Sequence, residues 1–266
     1  MNVGLTFDKI HSTTKGLTIN NIKRPILPTL RKRKMIVPGR HGSWDFENNT
    51  YDERIIIIEC SINGKSLADV RNKARELASW FRVKGKLIFD DEPDKYYIGR
   101  TYSSIDPEQI MKYGKFTLTF ECEPFAYYLV TTGEDILLNS DMTLDSDITL
   151  DNRINYLYSI TADKTIQVDN IGTFEVRPKI EISGTFSTFI ITINGKNLTL
   201  NEGINNEIII IDNENYTVKK NELNKLGIVT GDLNTFLELI PGINSVSISG
   251  TALNCTVLFD FRPLYL

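Results

Sequence analysis

Four carboxylates crowd into five positions, Asp90, Asp91, Glu92 and Asp94, and glycoside hydrolysis needs two carboxyl groups roughly 5–9 Å apart. Pro93 stands among them, between LIF and YYI, so the segment reads as a turn joining two strands rather than as a pair facing a substrate. The two histidines, His11 and His41, have no second ligand at metal spacing. Three cysteines, Cys60, Cys122 and Cys255, are odd in number and each lies inside an apolar run, which predicts small buried hydrophobes rather than bridges or metal ligands. Asp141, Asp145, Asp147 and Asp151 fall in a tandem SDMTLD-SDITLD without the turn glycine or the alternating oxygens of a calcium loop. There is no G-x-S-x-G, no phosphate-binding glycine loop and no H-E-x-x-H. The expectation is a protein without a catalytic centre, metal or cofactor.

The elements that would position any site are mainly strands. Leu17 to Ile22, Arg54 to Ile62, Lys86 to Phe89, Tyr96 to Tyr102 and Lys115 to Cys122 have strand character, and Phe116, Leu118 and Phe120 alternate with threonines as on a half-buried strand. One segment changes period. Leu67, Val70, Ala74, Leu77 and Phe81 recur at three and four residues, which predicts one amphipathic helix over about 66–84, capped by Ser66 with Asp69, stopped by Gly85 and packed on the sheet. Arg71, Lys73, Arg75 and Arg82 form its solvated face.

The later residues are β throughout: Lys179 to Ile182, Phe189 to Ile193, Leu198 to Leu200, Glu207 to Ile211, Tyr216 to Val218, Phe236 to Leu239, Ser245 to Ser249 and Cys255 to Phe259. Asn194-Gly195 is a two-residue hairpin signal, with weaker turns at Asp212 to Asn215 and Pro241-Gly242. Short, regularly spaced strands without helices predict a sandwich.

At 266 residues and 41% hydrophobic, the chain has room for two domains, and its charge divides accordingly. Residues 1–133 hold 21 Lys and Arg against 16 Asp and Glu, whereas residues 134–266 hold 9 against 18. The reading is therefore an N-terminal domain over 1–133, an acidic connector over 134–153 and a second domain over 154–266. The longest apolar runs, Ile55 to Ile58 and Ile208 to Ile211, are far short of the ~20 residues a membrane-spanning helix needs, so no membrane insertion is expected. The N-terminus has no apolar signal stretch, and folding in a cytoplasm is expected.

Between the first strands and the isoleucine run lies a long stretch, 23–51, punctuated by Pro25, Pro28, Pro38, Gly39 and Gly42. Lys23, Arg24, Arg31, Lys32, Arg33, Lys34 and Arg40 occur there with no acidic residue before position 41. Such a stretch reads as a nucleic-acid patch, as an arm reaching an acidic neighbour, or as a plain solvated loop.

Taken in order, the arm ending VPGRHGSWDFEN, the strand ERIIIIECSI, the helix SLADVRNKARELASWF, then GKLIFDDEPDKYYIGR, GKFTLTFECEPFAYY, DNIGTFEVRPKIEISG, FLELIPGINSVSISG and a terminal FRPLYL resemble the distal tail proteins of long-tailed bacteriophages, of the siphovirus tail-component type. The resemblance implies a non-enzymatic virion protein at the tail tip, made in the bacterial host. It implies a β-rich N-terminal domain that assembles into a homo-hexameric ring and a C-terminal galectin-like β-sandwich projecting outward. The ring would join the tail tube protein to tail-associated or receptor-binding proteins and let phage DNA pass through its centre without specific binding. The 23–51 stretch then looks like the family's arm that packs on the adjacent subunit. The matching residues Pro38, Gly39, Arg40, Gly42 and Ser43 are interface candidates, and so are Arg31, Lys32, Arg33 and Lys34 as a basic clamp against an unlike surface of the next copy.

Two other readings bear on the same residues. Trp44, Trp80, Tyr156, Tyr158 and Tyr216 are the rings a lectin would stack on sugars, making a carbohydrate-binding host-recognition protein the alternative; fold resemblance alone does not transfer a sugar site. A DNA-binding protein would rest on the basic arm, yet neither a helix-turn-helix nor a zinc module is visible.

Overall fold

The computed structural model describes residues 4–46, 50–102, 104, 108–110, 113–130, 132, 156–234 and 236–266. They fall into two compact units, the first running through Ala126 and the second from Tyr127 to Tyr265. The acidic connector expected over 134–153, with its tandem repeat, lies outside the described residues.

The first unit contains β1 (Leu5–Phe7), β2 (Ile10–His11), β3 (Leu17–Lys23), β4 (Lys34–Ile36), β5 (Ser43–Asp45), β6 (Arg54–Asn63), α1 (Leu67–Phe81), β7 (Gly85–Phe89), β8 (Glu92–Thr101), β9 (Glu108–Ile110) and β10 (Tyr113–Cys122); β11 (Ala126–Tyr128) leads into the second. Its main sheet is antiparallel, in the order β2-β1-β7-β8-β10-β6-β3, with β9 also on β10. Register follows from alternation: Phe116, Leu118 and Phe120 stand opposite Cys60, Ile58 and Ile56, and all six are buried.

α1 packs against β6 and β10 and buries Val70, Ala74, Leu77, Trp80 and Phe81. Phe7, Phe81 and Phe120 meet with ring centroids 5.3–5.6 Å apart, each burial contributing about 1.5–3 kcal/mol. The Trp80 indole donates Nε1–H to the Phe7 carbonyl at 3.1 Å, so the ring's polar edge is satisfied inside the core. The Ser66 hydroxyl accepts from the Asp69 amide at 3.2 Å as expected, but the Asp69 carboxylate reaches one residue further back, to the Lys65 amide at 2.7 Å. Two helix expectations are corrected. Leu67 heads the helix and is exposed; the buried stripe begins at Val70. Gly85 is not the helix stop: Arg82 ends the helix in ordinary right-handed geometry, and Gly85 opens β7, where a Cβ would lie 2.9 Å from the Phe7 ring.

The second unit contains β12 (Tyr156–Ile160), β13 (Lys164–Asn170), β14 (Lys179–Phe186), β15 (Thr188–Ile193), β16 (Lys196–Leu200), β17 (Ile204–Asp212), β18 (Thr217–Lys220), β19 (Leu223–Asn224), β20 (Val229–Gly231), β21 (Gly242–Thr251), β22 (Asn254–Asp260) and β23 (Leu264–Tyr265). One sheet runs β12-β22-β14-β17-β18-β19 and the other β13-β21-β15-β16-β20. Inward residues of both form one core, including Ile180, Ile182, Phe189, Ile191, Val246 and Phe259. This is a β-sandwich. Asn194 and Gly195 both have positive φ, 51° and 82°, the mirror-image turn that matches strand twist between β15 and β16. Phe236 to Leu239 is not a strand. Phe236 has a φ of 51°, which breaks extended geometry, and only Leu239 forms an isolated bridge, to Val176.

Candidate assembly interface

The 23–51 stretch leaves the main sheet after β3 and returns to it at β6, and it is less irregular than its prolines and glycines suggested. β4 and β5 form a separate two-stranded hairpin with Lys34 opposite Asp45, Met35 opposite Trp44 and Ile36 opposite Ser43. The Arg40 amide donates to the Val37 carbonyl at 3.2 Å, and Gly39 has a φ of 80°; with Pro38 before it this is the pattern of a type II turn.

Three sets of contacts fix the root of the arm. Backbone bonds join the two legs, Arg31 amide to Thr50 carbonyl and Asp52 amide to Thr29 carbonyl, both at 2.8 Å, and the Arg31 Nε donates to Asp52 Oδ1 at 2.8 Å. Arg24 lies over the Phe89 ring and pairs with Asp91 at 2.9 Å and Glu92 at 3.2 Å. Arg54, at 1% exposure, donates to the Pro25 and Pro124 carbonyls at 3.1 and 2.9 Å and sits over Tyr97. Burial pulls the Arg54 guanidinium below its ordinary value.

These contacts also account for the acidic cluster. Asp91 and Glu92 face Arg24, Asp90 lies 3.2 Å from His11 Nε2, and Asp94 lies 2.9 Å from Lys95. Each carboxylate is thus matched with a base within its own domain.

Beyond the root, both faces of the hairpin are left exposed by the described residues. One face carries Arg33, Met35, Trp44 and Phe46, with the Arg33 guanidinium 5.4 Å from the Phe46 ring centroid and that of Arg40 4.6 Å from Trp44. Met35, Trp44 and Phe46 are 52%, 47% and 43% exposed. The other face carries Lys34 and Asp45, 3.7 Å apart, and Ile36, 82% exposed. Large apolar side chains are thus exposed on both faces of the hairpin.

All nine interface residues suggested by the sequence lie on this arm. Arg31 is at the root, Lys32 and Arg33 lead into β4, Lys34 begins it, Pro38, Gly39, Arg40 and Gly42 make the tip, and Ser43 begins β5; every one is exposed. Arg31 pairs with Asp52 just past the arm and Lys34 with Asp45 on it, whereas Lys32, Arg33 and Arg40 have no carboxylate partner among the described residues. Met35, Ile36 and Phe46, exposed on the same hairpin, were not among the residues suggested. Their signal was the pairing of KMIV with SWDF across a Pro-Gly turn.

The other rings are placed differently. Trp80 is in the core of the first unit. Tyr156 stacks on Phe261 and exchanges hydrogen bonds with the backbone of Asp169, while the Tyr158 hydroxyl donates to the Gln167 carbonyl. Burial pushes the Tyr156 phenol up to about 12. Tyr216 is half-exposed, with Arg177 over one side and Phe236 edge-on. The three cysteines are free and buried, no cluster of three His, Cys, Asp or Glu side chains among the described residues is placed to hold a metal ion, and no helix among them is long and apolar enough to cross a membrane.

The sequence matches two family models, the phage tail protein RIFT-related domain over residues 10–122 and the siphovirus-type tail component, C-terminal domain, over residues 171–265. Among solved structures, the fold is similar to that of SPP1 Dit, described as a paradigm of the hub adsorption apparatus in phages infecting Gram-positive hosts. The TM-score is 0.66 at 16% identity, covering 98% of each chain. A cycloalternan-forming enzyme from Listeria monocytogenes, in complex with a pentasaccharide substrate, also matches at 10% identity over 94% of this chain and 30% of that one; its TM-score of 0.22 carries no argument. None of the curated proteins matches the chain.

Proposed function

The chain belongs to the siphovirus distal tail component family, and from that premise we propose that six copies close into a ring at the tail tip, the basic and aromatic arm of each packing on the next. The ring joins the tail tube to the tail-associated and receptor-binding proteins, and DNA passes through its opening. The role is structural and requires no bond-making chemistry of any side chain. The sandwich, galectin-like in this reading, points outward from the ring. The protein is part of the virion tail.

The observation that carries this reading is the bare hairpin. Three-residue strands without a covering layer are marginal on their own, and this pair leaves Met35, Ile36, Trp44 and Phe46 in solvent. A surface that the described residues of its own chain do not cover is suited to another copy, and unlike patches on one chain generate head-to-tail contacts that a rotation can close. Negative-stain microscopy and native mass spectrometry of the purified chain at micromolar concentration test the proposal. Six-fold rings are expected, and a monomer both in isolation and within assembled tails overturns it.

A further inference from the structure

The same four residues, Ile-Asn-Gly-Lys, occur at 62–65 and again at 193–196. An asparagine before glycine has a chemistry of its own. With no Cβ beside it, the glycine nitrogen can reach the asparagine side-chain carbonyl carbon, close an imide ring and expel ammonia. Closure needs a side chain free to swing toward the chain and a peptide nitrogen that gives up its proton. Asn194 is held back. It turns β15 into β16, and its Nδ2 donates to the Glu238 carbonyl at 3.2 Å and to Oδ1 of the buried Asn244 at 2.8 Å. Reaching Gly195 would break both bonds.

Asn63 is placed differently. It is the last residue of β6, opposite Tyr113, and its exposed side chain makes no hydrogen bond among the described residues. The Gly64 amide donates to none of them either. The peptide between the two is also activated, because the Lys73 ammonium donates to the Asn63 carbonyl oxygen at 2.7 Å. A cation on that oxygen stabilises the deprotonated peptide and so favours the form of the Gly64 nitrogen that attacks. Gly64 is required where it stands, since a Cβ there would lie 2.7 Å from Val70 Cγ2. We infer that Asn63 is a self-modifying site, converting slowly to aspartyl and isoaspartyl forms with Lys73 assisting, while Asn194 persists. In the first step the bond between the Gly64 nitrogen and Asn63 Cγ forms, the bond from Cγ to the side-chain nitrogen breaks, and the Gly64 proton leaves with the ammonia. Water then adds to one or other imide carbonyl and reopens the ring. The product sets a new carboxylate near Lys73, which already pairs with Asp69 at 3.6 Å, and the isoaspartyl form adds one methylene to the backbone just before the Ser66 cap. The joint between β6 and α1 thus changes charge and length with age.

Peptide mapping of the full chain, sampled over weeks near pH 8, tests this, with isoaspartate detected by isoaspartyl methyltransferase labelling. In the folded chain, amide loss is expected at residue 63 on the order of tenfold or more faster than at residue 194. In the guanidinium-unfolded chain the two sites should convert at similar rates, because their local sequences are the same. Lys73→Met should slow residue 63 several-fold in the folded chain and leave the unfolded rate unchanged. A folded chain in which residue 63 persists as long as residue 194, or a Lys73→Met chain that ages at the wild-type rate, overturns the inference.

Discussion

Arg54 holds Pro25. From within the sheet, its Nη1 donates to the Pro25 carbonyl at 3.1 Å and its Nε to the Pro124 carbonyl at 2.9 Å, so one buried cation ties the start of the arm to the end of the domain's last long strand. Arg54→Ala leaves both carbonyls without this donor and opens a cavity, which should cost about 2–5 kcal/mol. Urea unfolding measures the loss, and Arg54→Met, which keeps the volume but no donor, separates the two contributions. Equal midpoints for Met and wild type would show that the hydrogen bonds contribute nothing.

The exposed hairpin face predicts the opposite pattern. Met35→Ala with Trp44→Ala should leave the monomer's unfolding midpoint nearly unchanged, since surface substitutions generally stay within about 0.5 kcal/mol. Assembly should weaken by about 2 kcal/mol or more if these side chains anchor the contact. Charge reversal at Arg31, Lys32, Arg33 and Lys34 should likewise deplete rings before it unfolds monomers, read by native mass spectrometry at physiological salt.

Gly195 and Gly39 have nearly the same backbone, φ of 82° and 80°, and in each case an added Cβ meets nothing within 4 Å. Alanine at either site therefore costs only the left-handed conformation, about 1–2 kcal/mol. Because Gly195 lies between core strands, Gly195→Ala should lower thermal stability. Gly39→Ala, at the tip of a hairpin outside the core, should leave the melting temperature unchanged and instead weaken oligomers.

Lys220 lies 2.7 Å from Glu202 and 2.9 Å from Glu207, and its hydrogen bonds hold both carboxyls below the ordinary glutamate value. A carboxyl that titrates lower when folded contributes stability above its unfolded value and loses it as pH falls through the folded one. Lys220→Met should move both titrations upward, toward the ordinary value, in carboxyl-detected NMR, and should flatten the acid limb of the stability profile.

Burial pushes the thiols of Cys60 and Cys122 up to about 12 and raises that of Cys255. Thiolates, not thiols, react with disulfide reagents. Near pH 8 the native chain should label slowly at all three positions, whereas the urea-unfolded chain should take up three equivalents at once. Fast labelling of the folded protein would mean that the sheets open locally.

Much of this architecture was legible because it rests on local periodicity. β6 and β10 announce themselves by alternation, α1 by its stripe, and the β15–β16 turn by Asn194-Gly195. Strands that depend on distant partners were harder to see. β12 pairs with β22, about a hundred residues later in the chain, and its inward Tyr156 and Tyr158 read as ligand-stacking rings until β13 takes their hydroxyl bonds. Phe236 to Leu239 shows the converse: it is apolar enough for a strand but bent out of one by the backbone at Phe236. The proposed interface was half visible. Its charges stand out in composition, whereas its apolar face exists only once Met35 is set opposite Trp44.

Lys23 pairs with Ile57 across β3 and β6, so the arm departs from and rejoins two strands that are already neighbours. The sheet's alignment is therefore independent of what happens in between, and for a flexible insertion each doubling of length adds only about 0.6 kcal/mol of closure entropy. Roughly thirty residues can be lengthened, trimmed or rewritten while the domain beneath them keeps its hydrogen-bonded scaffold. Evolution is thereby free to refit the protein to a changed neighbour by editing one excursion.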